Sequence, residues 1–184
     1  MAVPARVVFR RAGSADAGSV ARLHADSWRR HYRNAYSDEF LDGDVDSERF
    51  EVWTERLSIL DGPTSTIVAE VGSCMVGFVH VIFDDDDRYG SLIDNLHVVF
   101  DRKRRGIGTQ LMSRAAAAVV EREARGLYLW VLEQNTAAQA FYRTCGGRCT
   151  GRRLVQSPGG VPGRLHGSPV ACRYTWTDPE SLIV

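Results

Sequence analysis

Residues 92–109 read LIDNLHVVFDRKRRGIGT: a strand-like run, a basic turn containing two glycines, and the start of an amphipathic helix. Gly106 and Gly108 lack side chains, so their backbone amides can approach an anion closely. The helix that follows points its first unpaired N–H groups and positive dipole end at the same place. Lys103, Arg104 and Arg105 add positive charge just upstream. The turn therefore reads as a cradle for linked phosphates. Two familiar phosphate loops do not fit it: no Gly-Lys-Ser/Thr follows the glycines, and Leu111 stands where a dinucleotide fold carries its third glycine. Taken alone, a Gly-x-Gly is also what a flexible helix start looks like.

Outward from this turn, the chain alternates between extended and helical periods. Downstream, Leu127–Leu132 is a continuous apolar run, as expected of a strand buried on both faces. A helix over Thr136–Thr144 stops at Gly146-Gly147, and Arg148–Gln156 and Val170–Trp176 form a last antiparallel pair across the Gly/Pro-rich loop Ser157–Pro169. That loop reads equally as a lid, a dimer contact or disorder. Upstream, Thr66–Val71 and Met75–Phe83 are β-rich and turn at Gly72-Ser73, and four aspartates, Asp84–Asp87, form a loop before Ser91–Phe100. Before them come a strand at Val7–Arg11 and a helix over Ala17–Arg30. A second helix starts near Ser37, and a third, capped by Ser47, has Phe50, Trp53 and Leu57 on its apolar face. The order is β, helices, ββ, β-turn-α, βα, ββ. It predicts one α/β domain over residues 1–184 with a mixed, mostly antiparallel sheet.

Composition narrows the function classes. The chain has 184 residues, 44% hydrophobic and 25% charged, which is ordinary for a globular protein. Its 23 Lys and Arg balance 23 Asp and Glu, so no global charge favours nucleic acid or an anionic membrane as partner. The longest aliphatic run, Ala115–Val120, is far below the roughly 20 residues of a spanning helix. The N-terminal segment lacks the apolar stretch of a signal peptide, so a cytoplasmic protein is expected. The four cysteines form no CxxC pair and have no His at ligand spacing; Cys145 and Cys149 read as small core residues, and no metal site is expected.

Two stretches together point to a family. Ile93–Val98 with the basic Gly-x-Gly turn, and Leu127–Leu132 followed by Asn135, Ala138, Phe141, Tyr142 and Gly146, resemble the fourth strand, acetyl-CoA loop, N-x-x-A and F-Y-x-x-x-G segments of the GNAT superfamily of N-acetyltransferases. The sharp motifs cover Leu92–Gly147 and the element order covers nearly the whole chain. The resemblance implies a GNAT-like fold of about seven strands flanked by helices. It implies acetyl-CoA as co-substrate and no metal. Three departures stand out: Lys103 where Gln or Arg is usual, Phe100 in place of a proline, and Gly147 in place of a phenylalanine. The last leaves a core aromatic to be supplied from elsewhere, with Tyr174 and Trp176 as candidates.

The resemblance also assigns roles. Backbone groups of Leu96, His97 and Val98 would bind the pantetheine arm, and an amide there would polarise the thioester carbonyl. Lys103, Arg104, Arg105, Gly106, Ile107, Gly108 and Thr109 would hold the pyrophosphate, and Asn135 would contact the cofactor arm. Tyr142 would protonate the departing thiolate. Asp94 is the candidate base, acting directly or through water, with a purely substrate-attracting carboxylate as the alternative and His97 as a second candidate. Trp28, Tyr32 and Asn95 are expected to face the acceptor, although for Trp28 core packing is the favoured reading. The acidic loops Asp84–Asp87 and Asp42, Asp44 and Asp46 would concentrate a cation if both flank the mouth of the site. The expected activity is direct acetyl transfer to a primary amine of a small cationic acceptor. A peptide or protein amine, and a non-catalytic acyl-CoA-binding module, are the alternatives. No nucleic acid or membrane partner is expected, and a homodimer is left open.

Overall fold

Seven strands form one sheet in the order β1-β2-β3-β4-β5-β7-β6, every neighbouring pair antiparallel except β4 and β5, in a computed structural model that describes residues 6–59 and 61–184. The strands are β1 (Val7–Arg11), β2 (Thr64–Val71), β3 (Cys74–Asp86), β4 (Gly90–Val98), β5 (Leu127–Leu132), β6 (Arg148–Leu154) and β7 (Val170–Trp176). The helices are α1 (Ala17–His31), α2 (Asp38–Asp42), α3 (Val45–Ser58), α4 (Ile107–Glu121) and α5 (Thr136–Thr144). This is the expected α/β class with a mixed sheet. The first five residues, part of the segment read for a leader, lie outside the described residues. No helix among the described residues is long and apolar enough to cross a membrane.

Alternation along the strands sorts the helices onto two faces. Val68 and Phe78 of β2 and β3 pack with Ala17, Val20, Ala21, Trp53 and Leu57 of α1 and α3. Their neighbours Ala69 and Val79 point the other way, into a core with Leu111, Met112 and Ala115 of α4 and Tyr142 of α5. β5, with five of its six residues buried, runs through the middle of the sheet, as its unbroken apolar run predicts.

Several boundaries differ from the sequence reading. Asp84–Asp86 continue β3 instead of forming a loop. Asp85 accepts a hydrogen bond from the Tyr128 hydroxyl, and Asp86 Oδ1 accepts the amides of Arg88 and Tyr89 at 2.8 and 2.9 Å. Local partners thus extend the strand through an acidic run. α3 begins at Val45 with Asp44 as its N-cap residue, and the Ser47 hydroxyl donates to the Asp44 carbonyl from within the first turn. The buried stripe of α3 is Val45, Arg49, Trp53 and Leu57, whereas Phe50 is 53% exposed. A spacing of four made Arg49, not Phe50, the inward residue. Cys149 is exposed instead of buried because the edge strand β6 is exposed along nearly its whole length.

The space left by the missing aromatic at position 147 is filled by Trp176. A Cβ on Gly147 would lie 2.6 Å from Trp176 Cζ2 and 2.9 Å from the Tyr142 carbonyl oxygen. The Trp176 ring stands edge-on to Tyr142, and its Nε1 donates to the Cys145 carbonyl at 2.8 Å. Gly147→Ala should therefore cost about 2 kcal/mol by overpacking, measured as a lower urea midpoint at unchanged slope.

Candidate active site

The site begins where two strands part. β4 and β5 pair only at Ser91–Ile93 with Leu127–Leu129; beyond that the two parallel strands are no longer bonded, and the rest of β4 faces a gap. On its other side β4 stays paired with β3, but with a bulge: His80 opposes Asn95 and Val81 opposes Ile93, so Asp94 is the extra residue. The bulge turns both Asp94 and Asn95 toward one cavity of about 380 Å³.

At the far end of β4, a 3-10 turn over Phe100–Arg102 leads into the glycine-containing loop and α4. Arg104 and Gly106 both adopt left-handed backbone, with φ of +60° and +77°. The amides of Arg104 through Thr109 have no hydrogen-bond partner among the described residues, the first intrahelical donor being Gln110 to the Gly106 carbonyl at 3.0 Å. Left-handed residues between unpaired amides at a helix start form an anion-binding concavity. The ring of Phe141 lies 3.2 Å from where a Cβ on Gly108 would be, which ties α5 to the loop. Lys103 leans back to α1, its Nζ 2.7 Å from His31 Nε2. Burial, then Arg30, lowers its pKa.

Tyr142 projects from α5 on the α4 side of the sheet, and Tyr32 follows α1 on the other. The two interact across the gap: burial first, and then the Tyr32 hydroxyl, push the Tyr142 pKa well above the usual tyrosine range. The Tyr142 hydroxyl has no hydrogen-bond partner among the described residues. Tyr32 is itself raised to about 12, by burial and by the negative charge of Asp94. Asp94 accepts hydrogen bonds from Arg56 Nη1 at 2.7 Å and from Asn95 Nδ2 at 2.6 Å. Asp94, Asn95, Tyr32 and Trp28 all line the cavity.

Other expected site residues are placed as follows. Leu96 and Val98 are half-buried on the unpaired end of β4. His97 is buried under α1, its Nδ1 2.7 Å from Ser27 Oγ, and burial pushes its pKa down to about 3. Asn135 Oδ1 caps α5 by accepting the Ala138 amide at 3.2 Å, leaving its Nδ2 available. Among the described residues no group of three His, Cys, Asp or Glu is placed to hold a metal ion.

Sequence reasoning missed Arg49 and Arg56 of α3, Trp130 of β5 and Arg153 of β6, all of which line the cavity. The spacing of Arg49 and Arg56 about Trp53 puts all three near one face of α3 and could have flagged the first two. Nothing local marks Trp130 or Arg153. Pro158 and Gly159 of the loop 157–169 line the cavity. The Ser37 amide donates to the Arg164 carbonyl at 3.0 Å and the His166 amide to the Ala35 carbonyl at 2.9 Å. Arg164 covers the Phe40 ring at 4.5 Å.

Comparison with known proteins agrees with this geometry. The chain is 28% identical over 141 residues to the uncharacterized N-acetyltransferase YuaI of Bacillus subtilis, covering 74% of this chain and 78% of that one. It is 28% identical over 160 residues to the probable N-acetyltransferase Rv2775 of Mycobacterium tuberculosis, covering 84% and 87%. The crystal structure of the PaiA N-acetyltransferase from Thermoplasma acidophilum, in complex with coenzyme A, superposes with a TM-score of 0.70 at 16% identity, over 93% of this chain and 99% of that one. The family model for the acetyltransferase (GNAT) family matches residues 25–146. The parted strands, the loop of free amides and this match together establish that the chain belongs to the acetyltransferase (GNAT) family.

Proposed function

We propose that the protein transfers an acetyl group from acetyl-CoA directly to a primary amine bound in the cavity beside Asp94. The observation that carries this reading is the gap between β4 and β5, which runs from six unpaired amides at one end to a cavity holding a carboxylate at the other. The amides of Arg104–Thr109 suit a pyrophosphate, and the unpaired edge of β4 suits an extended amide-containing arm. Acetyl-CoA supplies the activated acyl group, so no covalent enzyme intermediate is needed, and holding amine and thioester together provides much of the acceleration.

Within that frame each residue has a separate task. Asp94 accepts the proton of the incoming ammonium, directly or through water. His97 is set apart by position: it is buried under α1 with its Nδ1 2.7 Å from Ser27 Oγ and does not line the cavity. Tyr142 keeps its proton at every working pH and donates it to the sulfur as the carbon–sulfur bond breaks. Trp28, Tyr32 and Asn95 shape the acceptor side. The cavity, about 380 Å³, is of the size that holds a small molecule. That supports a small acceptor over a peptide.

Calorimetry with acetyl-CoA, followed by thiol release on mixing with a panel of amines, tests the reading. Micromolar binding and amine-dependent thiol release are expected. Binding without release for any amine would leave a non-catalytic acyl-CoA-binding module. Asp94→Asn should lower kcat/KM about 10-fold and displace the acidic limb of the pH–rate profile. A superimposable profile would remove Asp94 as the base.

A further inference from the structure

The charge of the cavity runs against the cationic acceptor expected from the sequence. Three guanidinium groups, of Arg49, Arg56 and Arg153, line it against one carboxylate, Asp94. The acidic loops that would draw in a cation are occupied elsewhere. Asp42 pairs with Arg33 and Asp46 with Arg29, while Asp85 bonds Tyr128 of β5 and Asp86 the β3–β4 turn. None of these four lines the cavity.

The three arginines are not equivalent. Arg56 is committed to Asp94 at 2.7 Å. Arg49 is buried, stacks on Trp28 at 4.3 Å and donates through Nε and Nη2 to Glu48. Arg153 has no carboxylate partner and no hydrogen bond among the described residues. Its guanidinium lies 4.1 Å above the centre of the Trp130 ring. A guanidinium seated over an indole still has its outer N–H donors free, and that planar fork matches an oxyanion.

We infer that the acceptor is a small amine that also carries an oxyanion, a carboxylate or a phosphate, with Arg153 taking the oxyanion and Asp94 the amine. This rests on the acetyl-transfer reading of the same cavity and names its substrate class. A zwitterionic acceptor meets one free cation and one carboxylate. A polyamine would set its further ammonium groups against guanidiniums, at a cost that grows as water leaves the site.

Initial rates of thiol release at saturating acetyl-CoA decide the matter. Leucine and O-phosphoethanolamine are compared with leucinamide, 3-methylbutylamine and spermidine. At least one oxyanion-bearing amine should show kcat/KM about 10-fold or more above all three others, and the leucine and phosphoethanolamine arms tell carboxylate from phosphate. R153Q, on an exposed edge strand, should raise KM for the preferred amine about 10-fold, far more than KM for 3-methylbutylamine or for acetyl-CoA. Equal or better rates with leucinamide, 3-methylbutylamine or spermidine overturn the inference, as does an R153Q variant indistinguishable from the parent. If acetyl-CoA binds but no amine turns over, the transfer reading fails by itself. Tryptophan fluorescence of the coenzyme A complex, titrated with the same compounds, then reads the cavity. A response to an oxyanion-bearing amine that R153Q abolishes upholds the inference, and none in the parent overturns it.

Discussion

Tyr142→Phe lowers kcat for acetyl transfer by about 100-fold and leaves the affinity for acetyl-CoA within twofold, the low end of what a positioned general acid contributes. The structure makes this substitution unusually clean. The Tyr142 ring is 8% exposed and is held by Tyr174 and Trp176, with ring centres 5.9 and 6.2 Å away. Phenylalanine keeps those contacts. The hydroxyl it removes has no hydrogen-bond partner among the described residues, so no buried acceptor is orphaned and stability should hold to within about 1 kcal/mol. A purely structural tyrosine would give little change in kcat. The pH dependence separates the roles further. With its pKa raised by burial and by Tyr32, Tyr142 stays protonated throughout the assay range. The parent rate should therefore show no fall on the alkaline side below about pH 10, the ordinary tyrosine value. An unchanged kcat in the Phe variant would dismiss Tyr142 as the acid.

The parts of this molecule that were legible in the sequence are those whose physics is local. The loop 104–109 announces itself because glycine, positive charge and a helix start are contiguous, and its amides are indeed unpaired. β5 is legible because burial on both faces removes alternation. Trp28, Tyr32, Asp94 and Asn95 line one cavity. The character of that cavity was not legible. Its arginines come from α3 and from β6, about a hundred residues apart, and meet only because β6 folds back beyond β7. Acidic clusters are conspicuous in a sequence, but their hydrogen bonds to Arg29, Arg33, Tyr128 and local amides are not. The acidic residues conspicuous along the chain are therefore not the ones that line the cavity. The bulge at Asp94 was equally hidden, since one extra residue in a strand changes no pattern of residue types.

Acidification should unfold the protein early, through three buried histidines. His24 is 1% exposed, His80 1% and His97 9%, all on the face that supports α1. His24 Nδ1 accepts from Trp53 Nε1 at 3.0 Å, and its Nε2 has no partner. His80 Nδ1 lies 2.7 Å from Thr66 Oγ1. Burial is the main cause in each case, lowering His80 to about 4, His97 to about 3 and His24 well below the usual value; for His24 the neighbouring His97 adds to it. A histidine held neutral in the fold, but free to charge near pH 6.5 once unfolded, contributes stability that is complete above that pH. Below it the unfolded state binds the extra proton, and stability is lost until the folded pKa is reached. The slope is about 1.4 kcal/mol per pH unit for each histidine, so three of them remove on the order of 5 kcal/mol between pH 7 and pH 5. Asp16 and Asp42, whose pKa values are lowered by Arg10 and Arg33, titrate below this window and do not confuse it. Thermal unfolding should shift down by about 10 °C or more between pH 7 and pH 5, since 1 kcal/mol moves the midpoint of a chain this size by roughly 2–4 °C. His80→Gln, which retains a hydrogen-bonding group for Thr66, should unfold at a lower temperature at pH 7 yet lose about one third less stability over the same interval. A midpoint that stays flat from pH 7 to pH 5, or a His80→Gln variant with the parent's slope, would place these imidazoles in contact with water and remove the basis for treating His97 as a neutral, non-catalytic support of α1.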